Sequence, residues 1–408
     1  MKILNLSNKI IEFSYYALFF FVPLVFWKDT SELYELNKMW LTFSLTLLIL
    51  AAWITKIIVL KKFYLQRTPL DIPIAVFLVS QIVSTIFSLD PYVSLWGYYS
   101  RFNGGLLSIV SYIFLYYAFL SNFSLRGGEK EGFLTARSKM STGGKEFETG
   151  PLAIIILKRF LVISLASGAV VALWGLPSHF GYDPTCLIFR GSFDVSCWTA
   201  DFQPKIRIFS TLGQPAWLGA YFAILSPLLI ALFLSSKRKL FATGYLLLAV
   251  LFYLDILFTK SRAALLGFWV ATVFFGAHYL LKELQLKIIN VNLRKVWPKI
   301  RPFSLLLILF LILTIAVLNP VELNKGKVQL QKSAGETKTG SFSSGGGGTE
   351  SGKIRLYVWQ GALNAWIHNP LIGTGVETFA FAYYKYKPIG HNLTSEWNYL
   401  YNLSLIHI

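Results

Sequence analysis

Charge is what this sequence is short of: only 14% of its 408 residues are Asp, Glu, Lys or Arg, against roughly a quarter in an ordinary soluble domain. That shortage excludes a water-soluble globule of conventional composition. Cysteine is scarcer still, with two in the whole chain, so neither a disulfide scaffold nor a four-ligand zinc site can be built. The sequence has no Walker-type loop, no metal-spaced His or Cys cluster, no Gly-x-Ser-x-Gly elbow and no outer Asp-x-Asp pair. ATP-driven and metal-dependent chemistry are thereby disfavoured, and neither a cofactor nor a metal is expected.

What the chain has in abundance is apolar: 55% of residues are hydrophobic and 16% aromatic. Thirty-eight Lys and Arg against 20 Asp and Glu leave a net charge of +18. In a soluble protein that excess points to nucleic acid. Here it points to a membrane protein, whose cytoplasmic loops collect Lys and Arg, and no nucleic-acid partner is expected.

A helix crossing the hydrocarbon needs about 20 mostly apolar residues, because no water satisfies its backbone there. Nine runs qualify, at 11–27, 39–60, 72–89, 104–120, 152–176, 212–234, 241–258, 263–281 and 303–318. The expected fold is an all-α polytopic membrane protein, with a bundle of about nine transmembrane helices over 1–319 and a large outer loop over 320–408. The first run lacks a small-residue cleavage site and reads as a retained helix. Alternate loops carry 21 Lys and Arg and the intervening short ones 8, which predicts a cytoplasmic amino terminus and an extracytoplasmic 320–408.

Two Gly-, Ser- and charge-rich stretches, 126–150 on the inner side and 332–353 on the outer, read as flexible linkers. After the second, apolar residues at helical spacing predict an amphipathic surface helix over about 354–368, with Trp359 and Trp366 on one face. It lies either on lipid or against the spans. The turn Gly373-Thr374-Gly375 follows.

The side chains left to carry chemistry are cationic and face outward. Lys260 and Arg262 share a very short outer turn, with Arg262 at the start of a membrane helix. A planar, always-charged guanidinium beside a helix amino terminus favours phosphate. The competing reading is an Arg that only anchors its span. Arg355 opens the surface helix and Arg207 precedes the sixth span. Each by itself reads as a solvated or interfacial charge. Of the outer histidines, His179, His368, His391 and His407, His391 is the candidate general base, since an imidazole titrates near neutral pH. Cys186 and Cys197 fall in one outer loop, where a bridge and two free thiols are both open. Asp255, near the end of its span, is either a relay carboxylate or a partner for Lys260 or Arg262.

Three segments, in order, resemble the O-antigen ligase family of polytopic membrane glycosyltransferases and its O-antigen polymerase relatives. They are 209–221 (FSTLGQPAWLGAY), 259–267 (TKSRAALLG), and 355–359 (RLYVW) through 369–379 (NPLIGTGVETF). The resemblance implies a metal-independent, inverting transfer of a glycan from undecaprenyl pyrophosphate to an acceptor hydroxyl. The reaction would run at the outer face of the bacterial cytoplasmic (inner) membrane. The acceptor is a glycolipid, a second glycan (polymerase) or a protein (O-oligosaccharyltransferase). By the same resemblance Arg262 and Arg355 bind the pyrophosphate; Arg207 and Lys260, read from their positions alone, are the supporting candidates.

The family's outer-loop His-Asn pair is commonly followed by Glu-Tyr-Leu, and here His391-Asn392 is followed by Leu393-Thr394. Family members with a stretch like 396–402 (EWNYLYN) run from it into His-Asn-Glu-Tyr, whereas this chain ends in LSLIHI at 403–408. A C-terminally truncated member, with its catalytic base beyond residue 408, is therefore the alternative to His391. A non-catalytic transporter or export component for a lipid-linked glycan is the reading from a different class.

Overall fold

The computed structural model describes residues 2–30, 32–123, 151–199, 202–284, 293–317 and 351–394. The linker 126–150, most of the linker 332–353 and the tail 396–408 lie outside them. Among the described residues the chain is helical, without strands. The helices are α1 (Lys2–Phe21), α2 (Glu35–Leu60), α3 (Asp71–Ile86), α4 (Pro91–Trp96), α5 (Leu106–Asn122), α6 (Pro151–His179), α7 (Pro184–Arg190), α8 (Pro215–Ser235), α9 (Lys239–Phe258), α10 (Arg262–Leu284), α11 (Leu293–Val317), α12 (Ser351–His368) and α13 (Phe379–Tyr386).

Each of the nine apolar runs is helical, but the count of nine spans is not met. Among the described residues four helices are long and apolar enough to cross a membrane: Glu35–Leu60, Ile155–His179, Pro215–Ser235 and Lys239–Phe258. Two more, Asp71–Ile86 and Leu106–Asn122, are apolar but short, and the apolar stretch Arg301–Val317 is the second part of the longer α11. Backbone breaks shorten some of these runs. At 1.5 Å per residue the 16 residues of α3 rise only about 24 Å, against roughly 30 Å of hydrocarbon. Likewise α1 stops at Phe21, two residues before Pro23, instead of running to Trp27.

Local chemistry sets the boundaries. Asp90 accepts hydrogen bonds from the Tyr92 and Val93 amides, both 3.1 Å, with Pro91 at the first position of α4. Asp183 does the same for α7 through Thr185 (2.9 Å), with Pro184 behind it. A short polar cap followed by proline is pre-organised for a helix start.

The chain forms two compact units. Unit 1 comprises Met1–Leu18, Asp29–Phe160 and Ser341–Ile408, and unit 2 comprises Phe19–Lys28 and Leu161–Gly340. Helices α12 and α13 thus fall in the same unit as α2 to α5. Two tertiary bonds explain this: the Leu89 amide donates to the Thr374 carbonyl (2.9 Å) and the Ser94 hydroxyl to the Val376 carbonyl (2.7 Å).

The core of unit 1 joins Ile11, Tyr15, Ile49, Trp53, Ala118, Phe123 and Phe160. Beside it the buried Lys56 ammonium donates to the Asn122 side-chain carbonyl (2.9 Å). Unit 2 centres on Phe222, Phe252, Tyr253, Phe268 and Phe310. Gly219 lets α8 and α10 approach closely, since a Cβ there would lie 2.4 Å from Ala264 Cβ.

The surface helix begins three residues earlier than expected and has two apolar faces. Ile354 and Val358 pack on Tyr383 of α13. Leu356, Trp359, Leu363, Trp366 and Ile367 are exposed.

Candidate functional site

The cationic turn of unit 2 is built from the end of α9 and the start of α10. Thr259 is buried; its amide donates to the Asp255 carbonyl (2.9 Å) and its hydroxyl to the Ile256 carbonyl (2.7 Å). Lys260 reverses the chain in the left-handed region, φ 51°. Ser261 then caps α10, its hydroxyl accepting from the Ala264 amide (3.4 Å). This leaves Arg262 as the first helical residue.

A second strand of backbone locks the turn. Arg207 Nε donates to the Thr259 carbonyl (2.9 Å) and the Ile208 amide to the Phe258 carbonyl (3.2 Å). The imidazole of His179 stacks on Phe258 with centroids 4.0 Å apart. Arg207, Lys260 and Arg262 are all exposed, so three cations cluster at one turn whose backbone is already satisfied. No acidic side chain pairs with Arg262 among the described residues.

Asp255 sits one helical turn deeper. It is fully buried, and neither carboxylate oxygen has a hydrogen-bond partner among the described residues. It therefore makes no hydrogen bond to Lys260 or Arg262, as the sequence had allowed.

In the loop between α6 and α8, Cys186 and Cys197 are bonded, with Cα atoms 5.5 Å apart. Asp183 lies within reach of both sulfurs. Disulfide sulfurs are not thiolate ligands, and the Asp183 carboxylate already accepts from Ser178, Thr185 and Trp198. These residues do not fit a metal centre.

Arg355 lies in unit 1, exposed on the first turns of α12. The structure thus gathers Arg207, Lys260 and Arg262 within unit 2 and leaves Arg355 in the other unit. His391 is fully buried between the two outer-loop helices: Tyr383 Oη lies 2.7 Å from its Nδ1, and Tyr357 stacks on its other side at 6.2 Å. Burial pushes the Tyr383 hydroxyl up to about 12, so it stays protonated and can donate to the imidazole. In this position His391 joins α12 to α13, and a base role would require that contact to open.

Sequence reading missed a second polar cluster, in unit 1. Arg101 pairs with Glu35 (3.5 Å), and Glu377 lies close enough to Arg101 and Glu35 to interact with both. These residues come from three distant stretches. The one available signal was Glu377 itself, a carboxylate inside the 369–379 segment.

No curated protein and no solved structure matches the chain. Residues 247–403 do match the O-antigen ligase family model. The match takes in the Lys260–Arg262 turn, α10 to α13, Arg355, Glu377 and His391, and leaves out Arg207 and the disulfide loop. The chain is a helical membrane protein, and its residues 247–403 are similar to the O-antigen ligase family.

Proposed function

We propose that this protein transfers a glycan from undecaprenyl pyrophosphate to an acceptor hydroxyl at the outer face of the bacterial cytoplasmic membrane, by a metal-independent, inverting displacement. The observation that carries the reading is the cationic turn: Arg262 opens α10 beside Lys260 and Arg207, inside the segment that matches the family for its greater part. The acceptor oxygen forms the new bond to the anomeric carbon as the bond to the pyrophosphate oxygen breaks. The electron pair leaves with the diphosphate and the hydroxyl proton goes to a base. Cations fixed beside the departing diphosphate stabilise charge where it develops. Arg355 is assigned to the same pyrophosphate by the family resemblance.

The expected sidedness has support from tertiary bonds between loops predicted to share a face. Outer loops join through Leu89 to Thr374 in unit 1, and through Thr211 to the Pro23 carbonyl and Arg207 to Thr259 in unit 2. Inner ends join through Lys56 to Asn122, Gln66 to Ser121 and Arg159 to Glu12. Among the described residues no such bond pairs an outer with an inner loop, which fits a cytoplasmic amino terminus.

The test is transfer of a lipid-linked glycan by purified protein in detergent with chelator present. Activity that survives chelation and is lost in Arg262→Ala supports the reading; strict dependence on added divalent metal sinks it. Ligase, polymerase and protein glycosyltransferase differ in the acceptor, which the cationic turn does not distinguish. The buried Asp255 favours one second reading, a lipid-linked glycan transporter, because intramembrane carboxylates often line transport paths. Flipping of a lipid-linked sugar in acceptor-free proteoliposomes, abolished by Asp255→Asn, would carry that reading instead.

A further inference from the structure

We propose that Glu35, Arg101 and Glu377 of unit 1, with the exposed rings of Trp40, Tyr99 and Tyr384 around them, form a saccharide-binding site. The inference rests on the glycan-transfer reading and adds where a sugar is held.

The first argument is the mix of donors and acceptors. Adjacent hydroxyls of a pyranose donate and accept at once. A carboxylate takes two such hydroxyl donors, and a guanidinium fork gives two N–H groups to sugar oxygens. Arg101 lies 3.5 Å from Glu35 and within electrostatic reach of Glu377, so acceptors flank a donor. Two carboxylates repel a phosphate, and the guanidinium among them competes with a metal ion. A neutral polyol suits the set best.

The second argument is the apolar component. Tyr99, Trp40 and Tyr384 are 66%, 56% and 56% exposed. Trp40 lies against Phe102, the neighbour of Arg101, at 6.1 Å, and Tyr98 packs on Tyr99 at 4.6 Å. Tyr98 in turn feels both Arg101 and Tyr384. Flat rings beside a polar cluster match a sugar's two surfaces, C–H faces and hydroxyl edges.

The third argument is strain. Glu377 and Phe102 are non-glycine residues held at φ 58° and 52°. Gly104, at φ 84°, leaves room for the carboxylate, since a Cβ there would fall 2.0 Å from Glu377 Oε1. Strained backbone of this kind persists only where its surroundings over-determine it. The bonds from Leu89 to Thr374 and from Ser94 to Val376 supply that restraint. The outcome is a carboxylate aimed before any ligand arrives.

The experiment uses the full chain in detergent on a printed array of neutral, acetamido and uronic-acid oligosaccharides, followed by fluorescence titration of the strongest binder. Wild-type protein is expected to bind. Glu377→Gln and Arg101→Lys should each weaken binding by roughly tenfold or more, since a charged hydrogen-bond partner or the planar fork is lost. Tyr99→Ala, at an exposed position that does not threaten folding, should weaken it less but measurably. Three results overturn the proposal: no saccharide bound by wild type, equal binding by all three variants, or binding that chelator abolishes and calcium restores. Arg262→Ala separates the two readings. If it keeps saccharide binding yet also keeps full transfer, the transfer mechanism falls and the sugar site stands.

Discussion

The polar clusters of the two units solve opposite electrostatic problems. In unit 2 three cations share one turn, held by backbone bonds and by His179 stacked on Phe258. In unit 1 an arginine is balanced by carboxylates, on a loop with strained φ values. The first arrangement concentrates positive charge and so suits a diphosphate; the second sets one cation among two carboxylates and is directional, suiting hydroxyls. The contrast teaches that charge sign and pairing distinguish the ligands more sharply than residue type, for an arginine sits at the centre of both.

Four measurements would break or sharpen that contrast. Arg262→Ala should lower transfer by about a hundredfold or more, the usual scale when a fixed donor to developing charge is removed. Arg262→Lys should recover part of it, because the charge returns without the fork. Steady-state assay with a lipid-linked donor reads both, and normal activity in the alanine variant would remove the cationic turn from the mechanism.

His391→Ala should act on stability. It removes the hydrogen bond between Tyr383 and His391, worth about 0.5–1.5 kcal/mol, together with the buried ring, and should lower the unfolding temperature of detergent-solubilised protein. An unchanged unfolding temperature with lost transfer would instead make His391 the base. Arg207→Ala should reduce transfer by roughly tenfold, since one charged hydrogen bond is worth about 1.5–3 kcal/mol before solvent screening. Arg207→Gln keeps a donor but no charge, and so separates locking the turn from attracting the diphosphate.

The smallest effect is on pH. Burial raises the pKa of Glu377 above the ordinary carboxylate value. On acidification it therefore gains its proton, and loses its charge, at a higher pH than an exposed glutamate does. Saccharide affinity should fall over that same higher range, and a Glu377→Gln variant should show a weaker dependence, with only the Glu35 carboxylate of the cluster left to titrate. Transfer limited by the cationic turn should not follow it, because guanidiniums stay charged throughout.

How much was visible beforehand depends on distance along the chain. The Lys260–Arg262 turn was legible because Ser261, Arg262 and the apolar run after them are contiguous, and a cap followed by a cation at a helix start is a local pattern. Arg207 was legible as a cation but not as the clamp on Thr259, which is made only when two loops meet. The Glu35, Arg101 and Glu377 cluster was not legible, since nothing local tells a solvated glutamate from one seated against Gly104. His391 was visible as a histidine in a loop; its burial against Tyr383 and Tyr357 was not.

By itself the sequence determined that this chain is helical and membrane-embedded, and which short turns carry its charge. Those properties follow from neighbours within a turn or two, through hydropathy, capping and backbone satisfaction. The tertiary structure alone decided that α3 and α5 are too short to count as full spans by length, that the outer-loop helices fold with unit 1, and which carboxylates meet Arg101. The physical reason is that burial and pairing arise between segments remote in sequence, where packing fixes the partner.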